Sequence, residues 1–196
     1  LTTSTKGDIL IGSDGGGIIL YNPEDKTFNS IVNSKSKGSL LSNTIYSIFP
    51  ANDGVIWIGC WGAGISIYDD RFNKFQTFRQ EESNTNSISG KSVTSFAEDK
   101  NGNIWISTDG GGINYFNPGS KKISHFKNIK DDFGTLSNDK VLALCTDKNG
   151  NLWSGMWNGG LNCFKIENDR LILKEKFRNV NPSSEINKSH LVKQSY

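Results

Sequence analysis

The side chains best suited to meeting a ligand stand at one recurring place. Asp14, Trp61, Asp109 and Trp157 each follow a short apolar run and lead into glycines, in SDGGG, CWGAG, TDGGG and MWNGG. An indole face stacks on a sugar ring, and a carboxylate accepts hydrogen bonds from hydroxyls. A corner that carries one or the other suits a polyhydroxylated ligand such as an oligosaccharide. Trp61 and Trp157 fit equally well as packing residues that cap a neighbouring structural unit. These four residues are the candidate ligand contacts.

Catalytic and metal chemistry finds little else to work with. Two histidines, His125 and His190, stand far apart, and His125 falls in a polar stretch that reads as solvated. No cluster of Cys and His has metal-ligand spacing, so no metal and no cofactor is expected. The DKNGN turns at Asp99 and Asp147 lack the third ligand and the distant glutamate of a calcium loop, and hairpin chemistry accounts for them. Asp109-Gly110-Gly111-Gly112 is followed by a strand pattern, not a helix, and is no dinucleotide fingerprint. Cys60, Cys145 and Cys163 form no disulfide framework. Cys145 and Cys163 lie in apolar runs, where a small buried hydrophobe is expected.

Composition sets outer bounds. The chain has 196 residues, 35% hydrophobic and 21% charged, with a net charge of +2, which implies neither a nucleic-acid partner nor a membrane surface. No run approaches the length of a membrane helix. The chain opens on Leu1 without a signal-like segment, so it is expected to begin inside something longer or after processing.

The candidate corners recur because the whole chain recurs. DKNGNIWISTDGGGINYF (Asp99–Phe116) has counterparts in NDGVIWIGCWGAGISIYD and DKNGNLWSGMWNGGLNCF, forty-eight residues to either side. KGDILIGSDGGGIILYN, near the start, repeats the pattern with Leu10 in the place of tryptophan. Twelve residues before Trp57, Trp105 and Trp153 begin the runs IYSIF, VTSFA and VLALC, apolar or small at both parities. They predict a first strand covered on both faces. A tight Asn-Gly or Asp-Gly turn leads to the second strand, the glycine corner to the third, and Asn-Pro or Asp-Asp to a more exposed fourth around Phe28, Phe75, Ile123 and Leu171. The last unit carries about three extra residues there. Trp57, Trp105 and Trp153, alike in position, are expected to pack between units.

Four antiparallel strands in about 48 residues make a β-propeller blade. The units span approximately 1–38, 39–86, 87–134 and 135–184, with the start of another at 185–196. Leu1–Thr5 reads as the end of a first strand and His190–Tyr196 as the next one. The period is close to those of WD40 and kelch repeats, but their motifs are absent. The Asp-box of sialidases fails by one residue between Asp99 and Gly102 and by the lack of a serine two before the Asp.

With Leu136-Ser137-Asn138, Val141, Asp147, Gly150-Asn151-Leu152-Trp153 and Gly159-Gly160-Leu161, and again over Ile88–Pro118, the chain resembles the two-component regulator propeller repeat. The resemblance covers nearly the whole chain. It implies the periplasmic sensor region of a hybrid two-component histidine kinase of glycan-degrading bacteria, anchored in the inner membrane by parts not present here. It also implies tandem seven-bladed propellers, so these four blades' worth are expected to be a fragment, completed by the remaining blades of the parent or by a second copy. Closure into a four-bladed ring through Leu191–Tyr196 is the alternative. No catalysis is expected of this segment itself. The rival functions are a lyase or hydrolase propeller similar to the streptogramin lyases, and a protein–protein scaffold.

Overall fold

The structure, a computed structural model, describes residues 1–4, 6–34, 39–69 and 74–177. Among them there is no helix, and sixteen strands form four antiparallel sheets of four strands each. The first sheet comprises β1 (Thr2–Thr3), β2 (Ile9–Gly12), β3 (Ile18–Asn22) and β4 (Thr27–Ile31). The second comprises β5 (Ile45–Pro50), β6 (Val55–Cys60), β7 (Gly64–Asp69) and β8 (Lys74–Phe78). The third comprises β9 (Val93–Glu98), β10 (Ile104–Thr108), β11 (Gly112–Asn117) and β12 (Lys122–Phe126), and the fourth β13 (Val141–Thr146), β14 (Asn151–Met156), β15 (Gly160–Glu167) and β16 (Arg170–Phe177). Within every sheet the strands run in sequence order, each paired with the next. First strands of successive sheets lie side by side, β5 against β9 and β9 against β13. This is the radial order of an all-β propeller, with strand one innermost.

Period-two alternation decides what each sheet buries. Leu10 and Ile18 of the first sheet meet Ile45, Ile56 and Ile58 of the second in one buried cluster. Trp57, Ile65 and Ile67 of the second sheet meet Phe96, Ile104 and Phe116 of the third. Trp105, Ile113 and Tyr115 of the third meet Leu144, Leu152 and Phe164 of the fourth. Each repeat therefore buries one face forward and the other backward, the nearest-neighbour packing of a repeat array. Among the described residues no such cluster joins the fourth sheet to the first. The strand expected at Leu191–Tyr196, on which four-bladed closure would depend, lies outside the described residues.

That arrangement corrects three expectations about the fourth sheet. The face of β13, β14 and β15 that carries Ala143, Cys145, Trp153, Leu161 and Cys163 is the counterpart of the third-sheet face with Ser95, Ala97, Trp105, Ile113 and Tyr115. No further described sheet covers it. Strand one is therefore not covered on both faces here, since Leu142, Ala143 and Cys145 are exposed. Cys145 is accordingly no core residue, whereas Cys163 is buried. Trp153 is half-buried, although its equivalents Trp57 and Trp105 are 4% and 0% exposed.

Local chemistry terminates the strands as the turn residues require. Asn22 Oδ1 accepts from the backbone N–H groups of Glu24 and Asp25, and Asn117 Oδ1 from that of Ser120. The extra residues of the last unit lengthen β15 and β16, which pair with an irregularity between Cys163 and Phe164. The two-residue turn that joins them, Asn168 and Asp169, has positive φ at both positions, 47° and 61°. The fourth strands are the most exposed, as the polar neighbours of Phe28 and Ile123 foretell, though Ile123 itself is buried.

Candidate functional site

Each glycine corner joins strand two to strand three and is bonded to the chain that leads into a strand one. Trp61 N–H donates to the Thr44 carbonyl at 3.0 Å, Asp109 N–H to Ser92 at 2.9 Å and Trp157 N–H to Lys140 at 2.9 Å. Corner glycines then bond across to the following sheet: Gly17 N–H to Asn43 at 2.8 Å, Gly64 to Lys91 at 2.9 Å and Gly112 to Asp139 at 2.9 Å. At Gly112, where φ is +79°, an added Cβ would lie 2.3 Å from the Phe126 carbonyl oxygen, so only glycine lets the fourth strand's end come so near. One consequence is geometric. Asp14, Trp61, Asp109 and Trp157 all sit at the end of their sheets where strand one begins, so carboxylate and indole alternate along one rim.

Their surroundings differ. Asp14 is exposed, and its Oδ1 accepts from the Thr44 hydroxyl of the next sheet at 3.1 Å. Asp109 is half-buried and pairs through its backbone with Lys140. Trp157 is 59% exposed. Trp61, 41% exposed, stacks on Tyr46, with ring centroids 4.5 Å apart and planes inclined by 30°. The four are therefore a row along consecutive sheets, and the one aromatic pair in that row is Trp61 with Tyr46.

Sequence reasoning missed Tyr46. It was hidden by the expectation that strand one is covered on both faces. The ladder between β5 and β6 shifts register between Ile45 and Ser47, which leaves Tyr46 outside the regular pairing and turns it to solvent beside the corner. Its counterpart Thr94 is used internally, its hydroxyl donating to the Val141 carbonyl at 2.6 Å, while Leu142 is exposed. A tyrosine as second residue of strand one, in the unit whose corner bears Trp61, was the available signal.

At the opposite end, the DKNGN turns do more than reverse the chain. Asp99 Oδ2 accepts from the indole N–H of Trp105 at 3.2 Å and from the Asn103 amide at 3.1 Å, and Oδ1 accepts from two backbone N–H groups. Asp147 repeats this with Trp153 at 3.0 Å and Asn151 at 2.7 Å. The Asn151 amide and then the Trp153 indole hold the Asp147 carboxyl well below the usual carboxylate range. Carboxylate oxygens filled by N–H donors have little left for a cation, and the described residues contain no group of three or more metal-ligating side chains. Spacing could have revealed this clasp, because Asp stands six residues before Trp and Asn two before it, yet the turn reading sufficed without it.

Burial, with Asp169 hydrogen-bonded to its hydroxyl, pushes Tyr115 up to about 12. Burial likewise raises the thiols of Cys60 and Cys163. His125 is exposed on β12 opposite Asn114 of β11, on the outermost strand of its sheet, and its Nε2 lies 2.7 Å from the Ser87 carbonyl. His190 lies outside the described residues.

Comparison with known proteins adds the family pattern. Residues 39–62, 87–110 and 135–158 match the model of the two component regulator propeller. No curated protein matches the chain in sequence. Among solved structures, the extracellular domain assigned to a hybrid two component system of B. thetaiotaomicron is similar at a TM-score of 0.69 and 20% identity, over 89% of this chain and 23% of that one. PorZ of Porphyromonas gingivalis, an essential surface component of the type-IX secretion system, is similar at 0.64 and 17%, over 86% and 26%. Virginiamycin B lyase of Staphylococcus aureus is similar at 0.64 and 13%, over 93% and 55%. The chain thus spans about a quarter of the first two proteins and about half of the third. At these identities the likeness is one of fold.

Proposed function

We propose that this run of two-component regulator propeller repeats is a non-catalytic, ligand-sensing part of the periplasmic region of a hybrid two-component histidine kinase, and that its ligand is an oligosaccharide. The observation that carries the reading is the rim itself: Asp14, Trp61 stacked on Tyr46, Asp109 and Trp157 at the same end of consecutive sheets. Exposed indole and phenol rings offer faces to sugar C–H groups, and carboxylates between them accept from hydroxyls. The matched regulator repeats and the likeness to a hybrid-system extracellular domain support the sensory context. Such a sensor works by differential affinity: the ligand favours one arrangement of the propeller relative to its neighbours, and only that difference biases the kinase across the membrane.

The fold shared with virginiamycin B lyase favours a second reading, an enzyme of the lyase or hydrolase type. It needs His, Glu or Lys side chains converging at one site, and His125 stands instead on a fourth strand, bonded to the Ser87 carbonyl. One experiment separates the readings. Calorimetric titration of the intact ectodomain with a panel of glycan fragments is repeated with Trp61→Ala and Trp157→Ala. Sensing through the rim requires binding that weakens in at least one variant, with no turnover of the glycan. Unchanged affinity in both variants removes the rim site, and turnover of any glycan refutes the non-catalytic assignment.

A further inference from the structure

The second sheet lacks the clasp that the third and fourth share. Counting back from the tryptophan, Ala51 occupies the place of Asp99 and Asp147, and Val55 the place of Asn103 and Asn151. Even the first sheet has a polar residue there, Ser4, whose hydroxyl accepts from the N–H groups of Lys6 and Asp8. In the second sheet Asp53 takes over the turn, its Oδ1 accepting from Val55 N–H at 3.0 Å, and it reaches no indole. Trp57 is only 4% exposed, and its indole N–H meets no acceptor among the described residues.

A cavity of about 600 Å³ opens where the missing carboxylate and amide would have been, in the cleft between the second and third sheets. Ala51, Val55, Trp57 and Phe116 line it, and Phe116 stands edge-on to Trp57 with centroids 5.2 Å apart. That volume lies within the range of small-molecule sites, and its walls are apolar and aromatic. Trp57 lines this open cleft and no acceptor among the described residues meets its indole N–H, so an occupant that brings an oxygen gains a directed hydrogen bond. The rim narrows the choice. Among the described residues Asp53 and Glu98 border the opening with Lys121, so the acids there outnumber the bases and a carboxylate ligand would enter against like charge.

We infer that the cleft between the second and third sheets is a binding site for a compact, uncharged aromatic molecule that carries an oxygen acceptor, such as an aryl ketone or a phenol. The ring occupies the space of the absent side chains, and its oxygen accepts from Trp57 Nε1 as Asp99 and Asp147 do from Trp105 and Trp153. This site is distinct from the corner rim, at the opposite end of the sheets.

The test uses the full chain and three probes: acetophenone, toluene and benzoate, followed by ligand-observed NMR and calorimetry. Acetophenone is expected to bind best. Ala51→Asp with Val55→Asn rebuilds the clasp of the neighbouring sheets and is expected to weaken acetophenone at least tenfold without lowering the melting temperature. Trp57→Phe keeps a ring but removes the donor, and should weaken acetophenone roughly three- to tenfold while leaving toluene unchanged, as loss of one hydrogen bond implies. The proposal is overturned if wild type does not bind acetophenone, if the rebuilt clasp binds it equally well, or if benzoate binds more tightly. Should the double variant fail to fold, the discrimination between acetophenone and toluene in Trp57→Phe decides alone, and equal weakening of both refutes the site.

Discussion

Three tryptophans at related positions give a graded test of the packing. Trp105 is wholly buried between the third and fourth sheets, against Tyr115 and Phe126 at centroid distances of 4.8 and 5.6 Å. Trp105→Ala removes the largest buried side chain of that cluster, and a cavity of that kind costs roughly 3–5 kcal/mol. Asp99 keeps its bonds to Asn103, so no orphaned carboxylate adds to the loss. Trp153 holds the same position in its sheet but is half-buried, with Phe177 stacked at 5.9 Å. Its removal should cost about 1–2 kcal/mol, part of the burial of one large side chain. Trp61, which touches Tyr46 at the surface, should cost about 1 kcal/mol or less. Urea titrations followed by far-UV circular dichroism measure all three without relying on indole emission. The ordering Trp105, Trp153, Trp61 is the expected result. A loss at Trp153 equal to that at Trp105 would show the far face of the fourth sheet to be covered in solution, and equal losses at Trp61 and Trp105 would refute the division into core and corner residues.

Three further outcomes follow from the same geometry. Gly112→Ala should cost at least about 2 kcal/mol, because positive φ and a 2.3 Å approach to the Phe126 carbonyl act together; Gly110→Ala, with φ +91° and open space, should cost clearly less in the same urea titration. Asp147 should stay ionised below the ordinary carboxylate range in an NMR pH titration. Because its folded pKa is depressed, its contribution to stability is complete above the unfolded value and is lost only as pH falls through the folded one, a window that Trp153→Phe should move upward. Cys145 should react rapidly with a thiol reagent while Cys60 and Cys163, buried and with raised pKa, react only as the protein opens; equal rates for all three would contradict the burial pattern.

The repeat by itself determined the architecture. The spacing of Trp57, Trp105 and Trp153, the Asn-Gly turns and the glycine corners fix strand lengths and reversals locally, and local chemistry of that kind is legible one residue at a time. Placing Asp14, Trp61, Asp109 and Trp157 at equivalent corners needed no more than that periodicity. Tertiary structure decided what periodicity treats as equal. Trp153 and Trp105 share a motif, but only one has a described sheet packed on each side, so burial parted them. Tyr46 joined Trp61 because a register shift turned one residue of strand one out of the ladder, and single-strand alternation cannot contain a two-strand irregularity. Ala51 and Val55 carry no signal in the sequence that singles them out. They line a cavity between two sheets at the places that Asp99 and Asn103 hold in the next unit, a relation that exists only once the sheets are packed.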